Sequence, residues 1–252
     1  MYLLPPTLSC PTVQLSNGVE IPILGLGTSH DGGYSHDAIM YALTDCGIRH
    51  LDTAKRYGCE EKLRDAIKES GLPRSDLWLT NKLWPGDYGY KAAQQACIDS
   101  CRAMGVEYFG VCRAIGVSNF LVHHLEQLKE DCSVVPHVNQ VEYHPYQQPK
   151  GLMEYCRSGG IVFEGYSPLA KGQVLNNPVV QQIAKKHGRT AAQICIRWSI
   201  QNGVVTIPKS TKKNRIQENC QVFGFQLDEE DMATLGGLQD GRHVTWDPTN
   251  VD

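Results

Sequence analysis

Short apolar runs and amphipathic stretches alternate along the chain, and this alternation predicts its secondary structure. Alternating residues flank Ser16-Asn17-Gly18, which predicts a β-hairpin around an Asn-Gly turn. After the hairpin, short buried runs typical of strands are followed repeatedly by stretches with a helical period. Strands are expected at residues 23–28, 50–52, 77–82, 138–142, 161–166 and 204–207. Helices are expected near residues 35–46, 60–70, 90–103, 121–130, 149–157, 177–187, 190–202 and 212–222, with another after Asp228.

The repeated strand–helix units predict an α/β protein with a parallel sheet closed into a (β/α) barrel. Strands that are apolar along their whole length are expected to be covered by helices on both faces. A chain of 252 residues has the length of one such barrel, and no linker or repeat divides it. Residues 1–252 are therefore expected to form a single domain. On the helix at 90–103, Ala92, Ala96 and Ile98 are expected to be buried.

One stretch, MGVEYFGVCRAIGVSNF at residues 104–120, departs from the alternation. An apolar run that begins at Val106 continues directly into a second run, which ends at Ser118-Asn119-Phe120. No stretch with a helical period separates the two runs. We therefore expect residues 106–117 to contribute a single strand to the barrel, with strained closure or a gap at this point.

Composition and charge exclude several classes of protein. With a net charge of −3, the chain has no overall field that would attract nucleic acid or an anionic membrane surface. No apolar run reaches the roughly 18 residues of a membrane-spanning helix, and the N-terminus lacks the basic segment of a secretory signal. Ten scattered cysteines form no CxxC pair, and Cys97 and Cys101 have no second pair that would complete a zinc site. A cytoplasmic protein with free thiols, without a metal, is expected.

Polar residues follow the second and third predicted barrel strands, where chemistry is located in such barrels. Asp52 ends one strand, Lys82 ends the next, and Tyr57 lies shortly after Asp52. An ammonium group beside a phenol stabilises the phenolate and lowers the pKa of the phenol, while an Asp carboxylate can hold the Lys in place. The three residues therefore suit proton transfer. A structural ion pair beside a packing tyrosine fits the same spacing.

Other strand ends carry amides, hydroxyls or basic side chains. Ser118-Asn119 and Asn139-Gln140 could bind a carboxamide, and Tyr166 could stack on a flat ring. Residues 207–211, Ile-Pro-Lys-Ser-Thr, lead into a predicted helix that contains Arg215, which suits a phosphate group. An ordinary solvated basic turn is the alternative interpretation. The chain lacks G-x-G-x-x-G and G-x-x-x-x-G-K-[ST] runs, which disfavours Rossmann and P-loop binding.

Seven segments of the chain together resemble the aldo-keto reductase family. They are GLGT, HLDTAKRYGCEE, NKLW, RAIGVSNF, VNQVEYHPY, GYSPLAKG and IPKSTKKNRIQEN, and they occur in the family's order across nearly the whole chain. The resemblance implies a (β/α)8 TIM barrel that binds NADPH without a Rossmann domain. It also implies reduction of aldehydes and ketones to alcohols by a monomeric enzyme.

The resemblance assigns roles to individual residues. Tyr57 corresponds to the family's general acid, Lys82 to the residue that lowers its pKa, and Asp52 to the partner of that lysine. At the nicotinamide end of the cofactor, Ser118, Asn119 and Gln140 correspond to the residues that hold the carboxamide, and Tyr166 to the residue stacked on the ring. Ser167 and Leu169 correspond to pyrophosphate contacts, and Lys209, Ser210 and Arg215 to the 2'-phosphate site. Glu218 and Asn219 correspond to adenine contacts, and Thr28 is a further cofactor position. The 2'-phosphate positions imply NADPH rather than NADH. Trp84 and Tyr88 are expected to line the substrate pocket, or else to pack within their loop.

The family's fourth strand, fourth helix and substrate-orienting histidine have no counterpart in this sequence. In the family a Gly-Val-Asp/Glu-Tyr run enters the fourth strand, which ends at a histidine in a His-Trp-Pro run. Here residues 105–109 lead directly to residues 110–113, so a βα unit of about thirty residues or more is absent. An internal deletion near residues 109–112, as in a splice variant, and a barrel of about seven strands are expected.

The missing βα unit and its histidine leave three possibilities for function. One is carbonyl reduction at a much reduced rate, on small aldehydes or ketones because a short C-terminal segment leaves the pocket open. The second is a catalytically inactive form that binds the cofactor weakly or acts as an interaction protein. The third is a largely unfolded form with little function.

Overall fold

The computed structural model of the chain describes residues 10–29, 32–106 and 112–251, and its elements follow the predicted order. Strands β1 to β9 are Thr12–Gln14, Glu20–Pro22, Leu26–Gly27, His50–Asp52, Trp78–Thr80, Gly116–Ser118, Val138–Glu142, Val162–Tyr166 and Val205–Ile207. Helices α1 to α9 are His36–Thr44, Glu60–Ser70, Tyr90–Ala103, Val122–Asp131, Lys150–Ser158, Pro178–His187, Ala191–Gln201, Lys213–Cys220 and Glu229–Gly236. The predicted hairpin is formed by β1 and β2, which pair antiparallel with Val13 opposite Ile21.

The chain divides into two compact units, and each contains a parallel sheet. The first unit holds Leu24–Cys112 and Lys209–Cys220, with strands in the order β3-β4-β5. Strand β4 is buried along its whole length, and its last residue, Asp52, lies opposite Thr80 of β5. The parallel register therefore brings the carboxyl ends of β4 and β5 to one edge of this sheet.

Helix α3 of the first unit corrects one prediction about burial. It spans Tyr90–Ala103 as expected, but Ala96 is its one fully buried residue. Ala92 is exposed and Ile98 is only partly buried. The helix packs on α2 and on the short 3-10 helix Pro85–Asp87. The described residues therefore fully cover a narrower stripe of α3, at Ala96, than the apolar pattern predicts.

The second unit holds Pro11–Ile23, Arg113–Pro208 and Gln221–Asp252, and its sheet has the order β6-β7-β8-β9. Helix α7 is buried from Ala191 to Ile200, and its Trp198 stacks on Tyr143 with ring centroids 4.9 Å apart. In β8, a Cβ added to Gly165 would lie 2.9 Å from Cγ1 of Val204. Glycine is therefore needed in β8 for the close packing of this core.

The prediction of one strand over residues 106–117 is wrong for its described part: β6 spans only Gly116–Ser118, where it pairs with β7, and residues 112–115 belong to no strand. Residues 107–111, with most of the predicted junction at 109–112, lie outside the described residues. Within the described ranges seven strands have parallel partners, three in one unit and four in the other. A closed barrel of about seven strands and a single domain stay predictions.

Candidate active site

Asp52 and Lys82 meet at the carboxyl ends of β4 and β5 in the first unit. Nζ of Lys82 lies 2.5 Å from Oδ2 of Asp52 and donates a second hydrogen bond to the carbonyl oxygen of Thr53, at 3.1 Å. The side chain of Asp52 is 4% exposed and that of Lys82 is 20% exposed. The predicted ion pair is therefore confirmed. A buried carboxylate needs such a partner, because it has left its hydration shell.

The ring of Tyr57 lies beside this ion pair. Tyr57 ends the 3-10 helix Lys55–Tyr57, whose chain reverses at Gly58 with φ 63°. Nζ of Lys82 lies 5.5 Å from the centroid of the Tyr57 ring. The arrangement places a phenol next to an ammonium group that is held by a carboxylate. Together the three side chains can hold and transfer a proton.

Lys82 acts on the pKa of Tyr57 in the expected direction, but the net shift is upward. Burial raises the pKa of Tyr57 above its ordinary value, and this outweighs the opposing charge and hydrogen bond of Lys82. Desolvation disfavours the phenolate because a charge is poorly stabilised away from water. Tyr57 is therefore protonated at neutral pH, which is the state that a proton donor requires.

Thr28, Trp84 and Tyr88 lie in the same unit with different surroundings. Thr28 is buried, and its hydroxyl donates to the carbonyl oxygen of Asp52 at 2.9 Å, so it ties β3 to the end of β4. Trp84 is 48% exposed, and the guanidinium of Arg56 lies 4.1 Å from its ring centroid. Tyr88 is 66% exposed. The cation–π contact supports loop packing for Trp84, while the exposed ring area remains open to a substrate.

The predicted phosphate residues lie around the N-terminus of α8 in the first unit. The hydroxyl of Ser210 accepts a hydrogen bond from the backbone N–H of Lys212 at 3.1 Å. Lys212, Lys213 and Arg215 are exposed, and Lys209 is partly buried. Cationic side chains around free helical N–H groups suit a dianion. Later in the helix, Glu218 is partly buried and Asn219 is buried.

The predicted nicotinamide residues lie on neighbouring strands of the second unit. Ser118 ends β6 and Tyr166 ends β8, but Gln140 is the middle residue of β7 and not its end, because the strand continues to Glu142. The hydroxyl of Ser118 and the backbone N–H of Asn119 both donate to the carbonyl oxygen of Gln140, at 3.0 and 2.9 Å. The hydroxyl of Tyr166 donates to Oδ1 of Asn119 at 3.0 Å. Asn119 adopts φ 60°, a left-handed conformation that Asn tolerates better than most residues. This turn directs the Asn119 amide toward Tyr166.

The turn after β8 is strained where the resemblance expects pyrophosphate contacts. Ser167, Ala170 and Lys171 have φ values of 53°, 47° and 51°. Each left-handed residue of this kind costs about 1–2 kcal/mol. Leu169 packs against the core of the second unit and fixes the turn. Strain of this kind is concentrated at ligand-binding segments, which agrees with the predicted role.

Sequence reasoning missed Glu142 and Thr245 in the second unit. Glu142 is 1% exposed and accepts hydrogen bonds from Nε2 of His144 at 2.8 Å and from the backbone N–H groups of Val244 and Thr245 at 2.7 and 3.1 Å. The hydroxyl of Thr245 also donates to Glu142 and contacts the hydroxyl of Tyr166 at 3.0 Å. A charged residue in the predicted barrel strand VNQVE was the available signal.

These hydrogen bonds set the charge of Glu142. Burial alone raises the pKa of its carboxyl group, but the bonds from His144, Thr245 and Val244 outweigh burial and lower the pKa from 4.5 to about 2. Glu142 is therefore a carboxylate at neutral pH. It fastens the segment 243–245 to the end of β7.

Residues 10–29, 32–106 and 112–251 contain no group of three or more His, Cys, Asp or Glu side chains that could hold a metal ion. In these same ranges, no helix has the length and apolar character that crossing a membrane requires.

Comparison with known proteins places the chain in a family. The model of the aldo/keto reductase family matches residues 24–111 and 109–240. Glyoxal reductase of Bacillus subtilis (strain 168) is 41% identical over 274 residues, which cover 98% of this chain and 99% of that protein.

Two solved structures share the fold. An aldo-keto reductase enzyme from a Medee basin deep-sea metagenome library has a TM-score of 0.90 at 39% identity, over 95% of this chain and 99% of that chain. A Bombyx mori aldo-keto reductase in complex with NADP has a TM-score of 0.89 at 27% identity, over 96% of each chain. The chain belongs to the aldo/keto reductase family.

Proposed function

We propose that the chain is an NADPH-dependent oxidoreductase that reduces small aldehydes or ketones to alcohols, with Tyr57 as the general acid. The Lys82–Asp52 ion pair beside the ring of Tyr57 carries this proposal. Tyr57, kept protonated by its burial, donates its proton to the carbonyl oxygen. The ammonium of Lys82 then stabilises the phenolate, and Asp52 holds Lys82 in place. Family membership makes this interpretation stronger than that of a structural ion pair.

Residues in each unit have side chains that suit a different part of NADPH. In the first unit, Lys209, Ser210 and Arg215 around the start of α8 suit the 2'-phosphate. In the second unit, the Asn119 amide suits the carboxamide and the Tyr166 ring suits the nicotinamide. The remaining proposed contacts are Thr28, Ser118, Gln140, Ser167, Leu169, Glu218 and Asn219. Bound NADPH supplies the hydride, and the NADP complex of the Bombyx mori relative supports this choice.

We propose that the chain lacks an internal segment that its relatives have, and that this loss reduces the rate of the reaction. The two segments that match the family model meet at residues 109–111, and the alignment with the Bacillus subtilis enzyme runs over 274 residues although the chain has 252. The relative therefore has residues without a counterpart here. Both observations support loss of the βα unit that carries the substrate-orienting histidine. We also propose that the chain is a splice-type form that acts as a cytoplasmic monomer.

The same observations favour a second candidate, a form that binds the cofactor without turnover. Titration of the purified chain with NADPH, followed by tryptophan fluorescence, is expected to show saturable binding. In an assay of small-aldehyde reduction, the kcat of this chain is expected to be about 100-fold or more below that of the Bacillus subtilis relative. This is the typical contribution of one well-placed proton-transfer group. Binding without any turnover would favour the second candidate. A folded chain that does not bind NADPH would contradict both.

The substitution Arg215→Ala tests the choice between NADPH and NADH. Loss of a charge-assisted hydrogen bond to the 2'-phosphate is expected to weaken NADPH binding by about 10-fold or more and to leave NADH binding within about twofold. Fluorescence titration with both cofactors measures the effect. Lys185→Ala is the matched control, because Lys185 is an exposed cation on α6 of the other unit. Equal losses for NADPH and NADH would contradict the assignment of Arg215.

A further inference from the structure

The hydroxyl group of Tyr166 lies between two acceptors in the second unit. Oδ1 of Asn119 and Oγ1 of Thr245 are each 3.0 Å from the Tyr166 hydroxyl oxygen. Oδ1 of Asn119 is a carbonyl oxygen and can only accept, whereas the Thr245 hydroxyl can either accept or donate. Tyr166 has one hydroxyl proton, so it can make a good bond to only one of these oxygens at a time.

The hydroxyl proton of Thr245 is used in a hydrogen bond to Glu142 and not to Tyr166. Its hydroxyl donates to the carboxylate of Glu142, which is a stronger acceptor than a neutral phenol. Lone pairs of the Thr245 oxygen therefore face the Tyr166 hydroxyl. The Tyr166 hydroxyl can thus donate its hydrogen bond in two alternative directions, to Oδ1 of Asn119 or to Oγ1 of Thr245. In the second case, Oδ1 of Asn119 is open to another donor.

The position of Thr245 is fixed by the segment around it. The backbone N–H groups of Asp240 and Gly241 donate to the carbonyl oxygen of Tyr146, at 3.1 and 3.0 Å. Nε2 of His243 lies 2.9 Å from the side-chain nitrogen of Gln147. These contacts involve residues that come just before Val244 and Thr245 in the chain. Together with the bonds from Val244 and Thr245 to Glu142, they hold residues 240–245 to the end of β7 and the loop after it. A hydroxyl anchored in this way can orient a neighbouring side chain.

We infer that Thr245 is a positioning residue for the nicotinamide end of the cofactor. Its oxygen gives the Tyr166 hydroxyl a second acceptor, so the Tyr166 ring stays oriented while Asn119 turns its carbonyl oxygen to the amide N–H of the carboxamide. Glu142 is required because its carboxylate accepts the hydrogen bond of the Thr245 hydroxyl. This inference rests on the proposed NADPH-dependent function.

The substitutions Thr245→Val and Thr245→Ser test the inference with two ligands. Valine keeps the shape and removes the hydroxyl, while serine restores it. Thr245→Val is expected to weaken NADPH binding by about 3- to 10-fold, the usual effect of one lost hydrogen bond, and Thr245→Ser to stay within about twofold of the wild type. The ligand 2',5'-ADP lacks the nicotinamide, so its affinity is expected to be the same in all three proteins. Fluorescence or calorimetric titration measures both ligands, and Tm is recorded for each variant.

Three outcomes separate this inference from the proposed function. NADPH affinity unchanged by Thr245→Val, or an equal loss for 2',5'-ADP, would overturn the inference and leave the proposed function standing. A folded wild-type chain that binds neither ligand would overturn both. Should Thr245→Val fail to fold, Tyr166→Phe removes the contact with Thr245 from the other side, together with the bond to Asn119. It is expected to weaken NADPH binding and to leave 2',5'-ADP unaffected, and the opposite result would again overturn the inference.

Discussion

Replacement of Tyr57 by phenylalanine is expected to lower kcat for aldehyde reduction by about 100-fold or more and to leave NADPH affinity within about twofold. Phenylalanine keeps the ring beside Lys82 but removes the proton that the carbonyl oxygen receives. Lys82 remains paired with Asp52 at 2.5 Å, so the first unit is expected to keep its fold. Steady-state kinetics and fluorescence titration on the same preparation measure the two quantities.

Tyr34→Phe is a matched control for this prediction. Tyr34 also lies in the first unit, and its hydroxyl donates to the backbone carbonyl of Lys62 at 2.8 Å. Removal of that hydroxyl is expected to change kcat by less than about threefold, because it loses only one local hydrogen bond. A Tyr57→Phe protein that reduces aldehydes as fast as the wild type would refute the role of Tyr57 as the general acid.

The substitution Glu142→Gln is expected to lower the free energy of unfolding at pH 7 by on the order of 3 kcal/mol, which corresponds to a carboxyl pKa lowered from 4.5 to about 2. The neutral amide offers one oxygen where the carboxylate offers two, and its N–H groups face donors from His144, Val244 and Thr245. Urea denaturation measures the loss. Such a loss would be a large part of the stability of an ordinary domain.

The dependence on pH distinguishes this effect from simple loss of packing. The pKa of Glu142 is lower in the folded chain than in the unfolded chain, so its contribution is fully present above about pH 4.5 and is lost as the pH falls toward 2. The difference between wild type and Glu142→Gln is therefore expected to shrink over this window. A difference that stays constant as the pH is lowered would contradict a charge-based role.

Glu154→Gln is the control for Glu142→Gln. Glu154 lies on α5 and forms an exposed ion pair with Arg157, with side chains 68% and 69% exposed. Pairs of this kind contribute about 0–1 kcal/mol, because water screens both charges. The control variant is expected to unfold within about 0.5 kcal/mol of the wild type at pH 7.

Local patterns were sufficient to predict most of the secondary structure. Helix α2 was expected at 60–70 and spans Glu60–Ser70, because its apolar residues follow the helical period and Gly71 ends it with φ 68°. The Asp52–Lys82 pair was also predictable. Parallel neighbouring strands bring their carboxyl ends to one edge, so residues at two successive strand ends must lie close together. Periodicity and strand order therefore determined the elements and this ion pair.

Properties that depend on surroundings were decided only by the tertiary structure. The ammonium of Lys82 alone predicted a lowered pKa for Tyr57, but the pKa is raised, because desolvation depends on every group packed around the ring. Glu142 and Thr245 are 103 residues apart, and no periodicity or motif links positions at that separation. By itself, the sequence determined the order of strands and helices and the residue types at the strand ends. Folding decided which of them are desolvated and which distant groups they bond, because burial and hydrogen bonding are properties of the packed chain.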